Sequence, residues 1–385
     1  MKKYDICIIG AGLIGSSIAR ELAKYNKKIV VLESNLKVGM ETTTGNSGLV
    51  HGGFDPTPGK LNAKLNVLGK KRYEDWIKEM EFPYLRIDSL IVGFDDLDLQ
   101  HINMLYQRGL TNGLDPKEMK ILNKEQVLKK EPNISQEVKA ALLCNSSIAV
   151  DPVALTETLM KNAIKNGVEL KLNSKVISIK KDKNIYQIKT ANNDLIKSTI
   201  VINVAGHYAD VISKMAGHDE FDLVTKRGEY RILEKTEFGI VNSVVFMVPT
   251  IHGKGVIVAP TLDGHVLVGP TSEDFVPKNE TRLITKEKYD LIGDIGKKII
   301  PSINMNKTCM SISGSRPIEP KTDDFWIKPS KKDEFFINVA GMKSPGLSSA
   351  PAIADLVIHL VKNKMKLEIN NKWDPNEKNP LIYKN

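Results

Sequence analysis

Three glycines, Gly10, Gly12 and Gly15, stand at the spacing G-x-G-x-x-G near the start of the chain, with Ile14 inside the same run. Between a strand and a helix, the first glycine permits a tight turn, the second lets backbone approach a pyrophosphate, and the third allows close helix packing. The helix start adds free N–H groups and the positive end of its dipole, which together suit an anion. Glu33 follows roughly 20 residues on, where a carboxylate accepts hydrogen bonds from ribose hydroxyls and repels a 2′-phosphate. The chemistry these residues support is dinucleotide binding. NAD and FAD present the same ADP half, so this unit alone leaves the choice between them open.

Other residues have types suited to a substrate. His51 lies in the glycine-rich segment SGLVHGG, and a neutral imidazole there can take the hydroxyl proton when an alcohol is oxidised. Arg316, in SGSRP, offers a planar fork that matches a phosphate or carboxylate. Lys254, in the HGKG turn, is expected to help it, and Lys343, in GMKSPG, to add positive charge. Arg227, in KRGEY, is open to two readings: a further positive charge or a sheet-surface residue. His207 and His252 follow motif segments and read as structural, and His101, His218, His265 and His359 have no chemical neighbours in sequence. Cys7, Cys144 and Cys309 are too few and scattered for a disulfide framework or a clustered metal site, so all three are read as structural.

The glycine turn needs a strand leading in and a helix leading out. Residues 4–9, YDICII, form an apolar run of strand length, 13–25 carry helical apolar spacing, and 29–32 are continuous and β-branched, as in a parallel strand buried on both faces. From 39 to 59 the chain is rich in Gly, Thr, Ser and Asn, which predicts a long functional loop, and helical patterning resumes near Leu61. A helix is predicted over 151–166, then short strands at 169–172, 175–180, 186–190 and 199–203. Residues 222–310 read mainly as antiparallel strands, including VVFMVP, GVIVAP and HVLVGP, with a helix near 286–298. FFINVAG then leads through a loop to a helix over 348–362, repeating the strand, glycine turn and helix of the beginning.

The net charge of +9 comes from dispersed lysines without an arginine-rich tract, which argues against nucleic acid and mildly favours an anionic ligand. No stretch approaches the roughly 18 apolar residues of a membrane span, and the start reads as a strand instead of a signal peptide. A cytoplasmic protein is expected, with peripheral membrane attachment and oligomeric state left open.

The chain resembles the FAD-dependent D-amino-acid oxidase and glycine oxidase superfamily, and within it most the glycerol-3-phosphate oxidase and dehydrogenase branch. The resemblance runs nearly end to end through GAGLIGSSIARELA with Glu33, TTTGNSGLVHGGFDPTPGKLNAKLN, VDPVALTETL, VINVAGHYAD, KRGEY, VPTIHGKGVIVAPTLDGHVLVGPTSED, SGSRPIEP and GMKSPGLSSAPAIA. It implies an α/β fold: a Rossmann-type FAD-binding domain from residues 1–83, 141–221 and 311–385, and a mixed or antiparallel-sheet substrate domain from 84–140 and 222–310. It implies that Thr42, Thr43, Ser47, Gly48 and Leu49 line the pyrophosphate and flavin. Val176 would meet the adenine through its backbone, and Ala205 and Gly206 would close over the ADP portion. The loop from Gly341 through Gly346 and Leu347 leads to a helix from Ser348, whose dipole would stabilise the negative charge of a reduced flavin. Ser47 and Ser348 would offer hydroxyls to the pocket. No cysteine lies in that loop, so FAD is expected to be non-covalent. The expected reaction is oxidation of sn-glycerol 3-phosphate to dihydroxyacetone phosphate by hydride transfer to flavin N5, with oxygen reduced to hydrogen peroxide. The rivals are an L-2-hydroxyglutarate dehydrogenase or oxidase, and a glycerol-3-phosphate dehydrogenase using another acceptor.

Overall fold

The computed structural model describes residues 2–248 and 255–378. Two sheets organise them. The first runs in the order Trp326–Pro329, Phe336–Ala340, Leu195–Asn203, Lys3–Ile9, Ile29–Leu32, Glu169–Lys171, with the hairpin of Val176–Asp182 and Ile185–Thr190 attached to Leu195–Asn203. Its four inner pairings from Phe336–Ala340 to Glu169–Lys171 are parallel, with Ile6 opposite both Ile200 and Ile29. The period of two sends Ile6 and Ile8 to one face and Cys7 and Ile9 to the other. On the first face they join Ile18, Leu22, Trp76, Leu159 and Ile353; on the second, Ile179, Tyr186 and Phe336.

The first face is covered by helices α1 (Leu13–Leu22), α2 (Leu61–Glu79), α3 (Pro152–Lys165) and α4 (Gly346–Lys362). α1 packs on α3 and α4, and α2 packs on α4. α3 begins in the ordinary way: the Asp151 carboxylate accepts from the N–H groups of Val153 and Ala154 at 2.8 and 2.9 Å. α1 and α4 begin differently, after Gly12 and Pro345, with neither a side-chain cap nor an acid in the first turn. α4 therefore starts two residues earlier than its apolar spacing suggested, because Pro345 occupies the capping position and Gly346 opens the helix.

The second sheet has ten strands, in the order Glu273–Asp274, Val224–Leu233, Val266–Gly269, Ile257–Pro260, Val244–Met247, Tyr84–Gly93, Ala140–Val150, Leu49–Val50, with Thr308–Ile318 and Met119–Asn123 joined at the sides. All its pairings are antiparallel except Val244–Met247 with Tyr84–Gly93. Leu49 and Val50 pair with Ala149 and Ile148, so the loop leaving the first sheet is anchored in the second just before His51. The domain boundaries expected at residues 140 and 311 fall inside Ala140–Val150 and Thr308–Ile318, both of which hydrogen-bond within the second sheet. Among the described residues no helix is long and apolar enough to cross a membrane.

Candidate active site

The parallel strands Lys3–Ile9, Ile29–Leu32, Leu195–Asn203 and Phe336–Ala340 end side by side, and the turns leaving them carry Gly10, Glu33, Ala205 with Gly206, and Gly341. A trough opens along this edge, where ligands of such sheets bind. It has two compartments, of about 1130 and 610 Å³, that share Thr42, Asn46, Met342, Gly346 and Leu347 in their walls. The smaller one is also lined by Gly12, Ile14, Gly15, Thr43 and Gly206. The larger is lined by Ser47, Leu49, His51, Arg316, Lys343 and Ser348.

The three motif glycines divide their work. Gly10 has φ +110°, and a Cβ there would stand 2.5 Å from the Val204 carbonyl oxygen, while one on Gly15 would overlap the Gly10 carbonyl oxygen. These two serve close packing. A Cβ on Gly12 would meet only Thr43 Oγ1, at 3.5 Å, so its bareness serves the trough. Thr43 Oγ1 in turn accepts the Leu13 N–H at 3.2 Å. Glu33 accepts from Ala11 N–H at 2.8 Å and from the backbone and side-chain N–H groups of Asn35, both at 2.9 Å, which locks the carboxylate against the turn. Glu33, Gly10, Gly48, Val176, Ala205 and Gly341 do not line either compartment. Gly48, at φ +72°, is there because a Cβ would overlap the Val150 carbonyl oxygen.

At the far end the His51 backbone is pinned from both sides. Its N–H donates to Ser348 Oγ at 2.8 Å, and its carbonyl accepts from Asn66 Nδ2 at 3.0 Å. The imidazole faces Phe246, with ring centroids 6.0 Å apart. The start of α4 is pinned as well: Tyr73 donates to the Leu347 carbonyl at 2.8 Å, and α2 approaches so closely that a Cβ on Gly69 would overlap the Ser348 carbonyl oxygen.

Arg316 donates through Nη2 to the Thr271 carbonyl at 3.1 Å, and among the described residues it has no carboxylate within ion-pair distance. Burial pulls its guanidinium below its usual pKa. Beside it stands Tyr230, whose phenol is pushed up by burial and held back by the Arg316 charge and a hydrogen bond with Ser47. Lys343 lines the trough but is ion-paired with Asp323. Arg227 does not line it: its guanidinium pairs with Glu273 at 2.6 Å and donates to the Glu280 carbonyl at 3.0 Å, so its charge is used within the sheet lobe. Lys254 lies outside the described residues, as does His252.

Sequence reasoning missed Tyr230, Asn66, Tyr73, Gly69 and the contact of Gly45 with Gly314, where a Cβ on either would overlap the other's backbone. The only local signal was the glycine in each of the segments GNSG and SGSRP.

Residues 5–360 match the family described as DAO, FAD dependent oxidoreductase. The chain belongs to this family. A glycerol 3-phosphate oxidase of Mycoplasma genitalium is 40% identical over 380 residues, 98% of each chain. A glycerol 3-phosphate dehydrogenase of Caloramator mitchellensis is 38% identical over 99% of this chain and 81% of its own length. The structure of dithionite-reduced L-alpha-glycerophosphate oxidase from Mycoplasma pneumoniae with FAD bound superimposes with a TM-score of 0.96, at 40% identity, covering 99% of this chain and 100% of that one. This DAO-family chain is thus an FAD-dependent oxidoreductase, which decides between the two dinucleotides. Its trough fits the group: a bare Gly12 and two uncapped helix starts surround the space where a pyrophosphate and an anionic ring need N–H donors and no side chain.

Proposed function

We propose that this enzyme oxidises sn-glycerol 3-phosphate at C2 to dihydroxyacetone phosphate, with dioxygen as acceptor and hydrogen peroxide as second product. The observation that carries the reading is that His51 and Arg316 line the same compartment, continuous with the dinucleotide trough. One group suits removal of a hydroxyl proton and the other suits one anionic end of a small molecule. The naming of a full-length relative as a glycerol 3-phosphate oxidase supports the substrate. The acceptor is proposed from the same likeness, to a relative named an oxidase along nearly its full length.

In this reading Gly12, Ile14, Gly15, Thr43 and Gly206 would hold the pyrophosphate half of FAD, with Glu33 at the ribose, Gly10 and Ala205 beneath it, and Val176 near the adenine. Thr42, Gly48, Leu49, Gly341, Gly346 and Leu347 would frame the ring half. Bound FAD would supply the two-electron acceptor for the hydride leaving C2. His51 takes the C2 hydroxyl proton, and its clamped backbone fixes the ring's approach. Arg316, with Lys254, holds the phosphate, while Ser47 and Ser348 orient the region between, and Lys343 contributes through its loop near Asp323. The apolar wall of Phe54, Ile91, Leu105, Phe246 and Ile257 keeps water away and strengthens the charge interactions.

Anaerobic mixing with glycerol 3-phosphate should bleach the yellow flavin spectrum, and L-2-hydroxyglutarate should not. Admitting air should then restore the colour with peroxide formed. Bleaching by 2-hydroxyglutarate alone would favour the rival, and colour that returns only with an artificial dye would remove oxygen as acceptor.

A further inference from the structure

His207 is 3% exposed and lines neither compartment, yet three segments converge on its ring. It sits in the short turn Gly206–Tyr208 after the strand Leu195–Asn203 of the first sheet. Its Nδ1 is 2.9 Å from Ser315 Oγ, on the strand Thr308–Ile318 of the second sheet, and 3.3 Å from Thr42 Oγ1, on the connecting loop. Its Nε2 is 3.6 Å from Glu41 Oε2, and its ring leans on Tyr208 with centroids 5.1 Å apart.

The chemistry of the ring makes this a clip. With the proton on Nε2 facing Glu41, Nδ1 is an acceptor that both hydroxyls can share, which holds each side chain in one rotamer. The two hydroxyls occupy informative places. Thr42 stands in the wall common to both compartments, and Ser315 lines the larger one directly before Arg316. Next to the clip the loop and the strand meet backbone to backbone at Gly45 and Gly314, leaving no side chain there to set their relative position. The imidazole is the polar tie between them.

We propose that His207 is a positioning residue: by tying Thr42 to Ser315 it sets the neck of the trough for FAD and the placement of Arg316 for the substrate. The inference rests on the reading of the trough as the FAD and glycerol-3-phosphate site.

Three substitutions separate the roles of the ring. His207→Asn keeps an acceptor where Nδ1 stands, His207→Gln keeps a donor toward Glu41, and His207→Phe keeps only bulk. The readouts are the Kd of the apoprotein for FAD, from flavin fluorescence, and the KM and kcat for glycerol 3-phosphate at saturating FAD. Losing a buried hydrogen bond shared by two hydroxyls should raise the FAD Kd about tenfold in the Phe and Gln variants, with Asn within about threefold of the native chain. KM should follow the same order while kcat changes less than KM. Adding Ser315→Ala to His207→Phe should cost little more.

If all three variants bind FAD within twofold of the native chain, or if Asn behaves as Phe does, the clip is overturned and His207 only packs. A shift in FAD Kd without one in KM removes the Arg316 half of the proposal. Failure of the native enzyme to bleach with glycerol 3-phosphate would sink the substrate reading instead, and the FAD titration would still decide the neck.

Discussion

Truncating His51 leaves in place the backbone hydrogen bonds to Ser348 and Asn66 that pin this segment. His51→Ala should therefore leave FAD bound and slow anaerobic flavin reduction by at least about a hundredfold, the usual size of a lost general base. A stopped-flow reduction rate equal to that of the native enzyme would rule the base out. Arg316→Lys keeps a charge but loses the fork, and should raise the KM for glycerol 3-phosphate roughly tenfold or more with kcat changed less. Tyr230→Phe, which removes only the hydroxyl between Ser47 and Arg316, should raise KM about threefold, the scale of one hydrogen bond; an unchanged KM would reduce Tyr230 to a wall. His51 and Arg316 were legible as residues because few side chains can do their chemistry, and both stand beside glycines. Tyr230 was not, since its neighbours Glu229 and Arg231 are buried too, and nothing in KRGEY shows which of the alternating side chains turns to the trough. The same ambiguity left the role of Arg227 open, since its partners come from segments about 50 residues away.

Elements with a strong local period were readable: the first strand, α1, Ile29–Leu32 and α3 lie where apolar spacing put them. The two-residue strand Leu49–Val50 was not, because its pairing with Ala149 and Ile148 is made by a distant segment. α2 was seen only as a resumed helical pattern, and its part in the site was invisible. Gly69 shows why. Within a helix a glycine is a local flaw, and replacing it by alanine stabilises by up to about 1 kcal/mol on propensity alone. Here the added Cβ would run into the Ser348 carbonyl and come 2.8 Å from Ser349 Cα, both backbone atoms at the start of α4. Overpacking of that kind costs roughly 1–3 kcal/mol and outweighs the propensity gain. Gly69→Ala should thus lower the Tm and weaken FAD binding together, as read by thermal melts and flavin fluorescence. A raised Tm with native FAD affinity would show that α2 yields freely and does not set the position of α4.

The division of the whole molecule into two sheets was legible from parallel-type runs at both ends of the chain and antiparallel ones between. The boundaries drawn at 140 and 311 fall within strands whose partners, Tyr84–Gly93 and Val224–Leu233, local composition does not name. Global stability carries one further consequence of folding that no motif suggests. His218 is 5% exposed, packs against Phe336 with ring centroids 4.8 Å apart, and among the described residues neither ring nitrogen has a hydrogen-bond partner. Burial lowers its pKa below 6.5; Asp333 and Glu220 oppose the shift, and Lys332 and Lys181 add to it. The folded ring thus resists a proton that the unfolded chain accepts. Well above pH 6.5 it is neutral in both states and adds no pH dependence. As pH falls below 6.5 the unfolded chain binds more protons, so stability falls, by at most about 1.4 kcal/mol per pH unit for one group. His218→Phe, which can still stack on Phe336, should therefore lose less stability than the native enzyme between pH 7 and 5.5. Urea unfolding of both proteins at the two pH values with excess FAD measures the difference. Equal losses would mean that His218 takes its proton in the folded chain as readily as in the unfolded one.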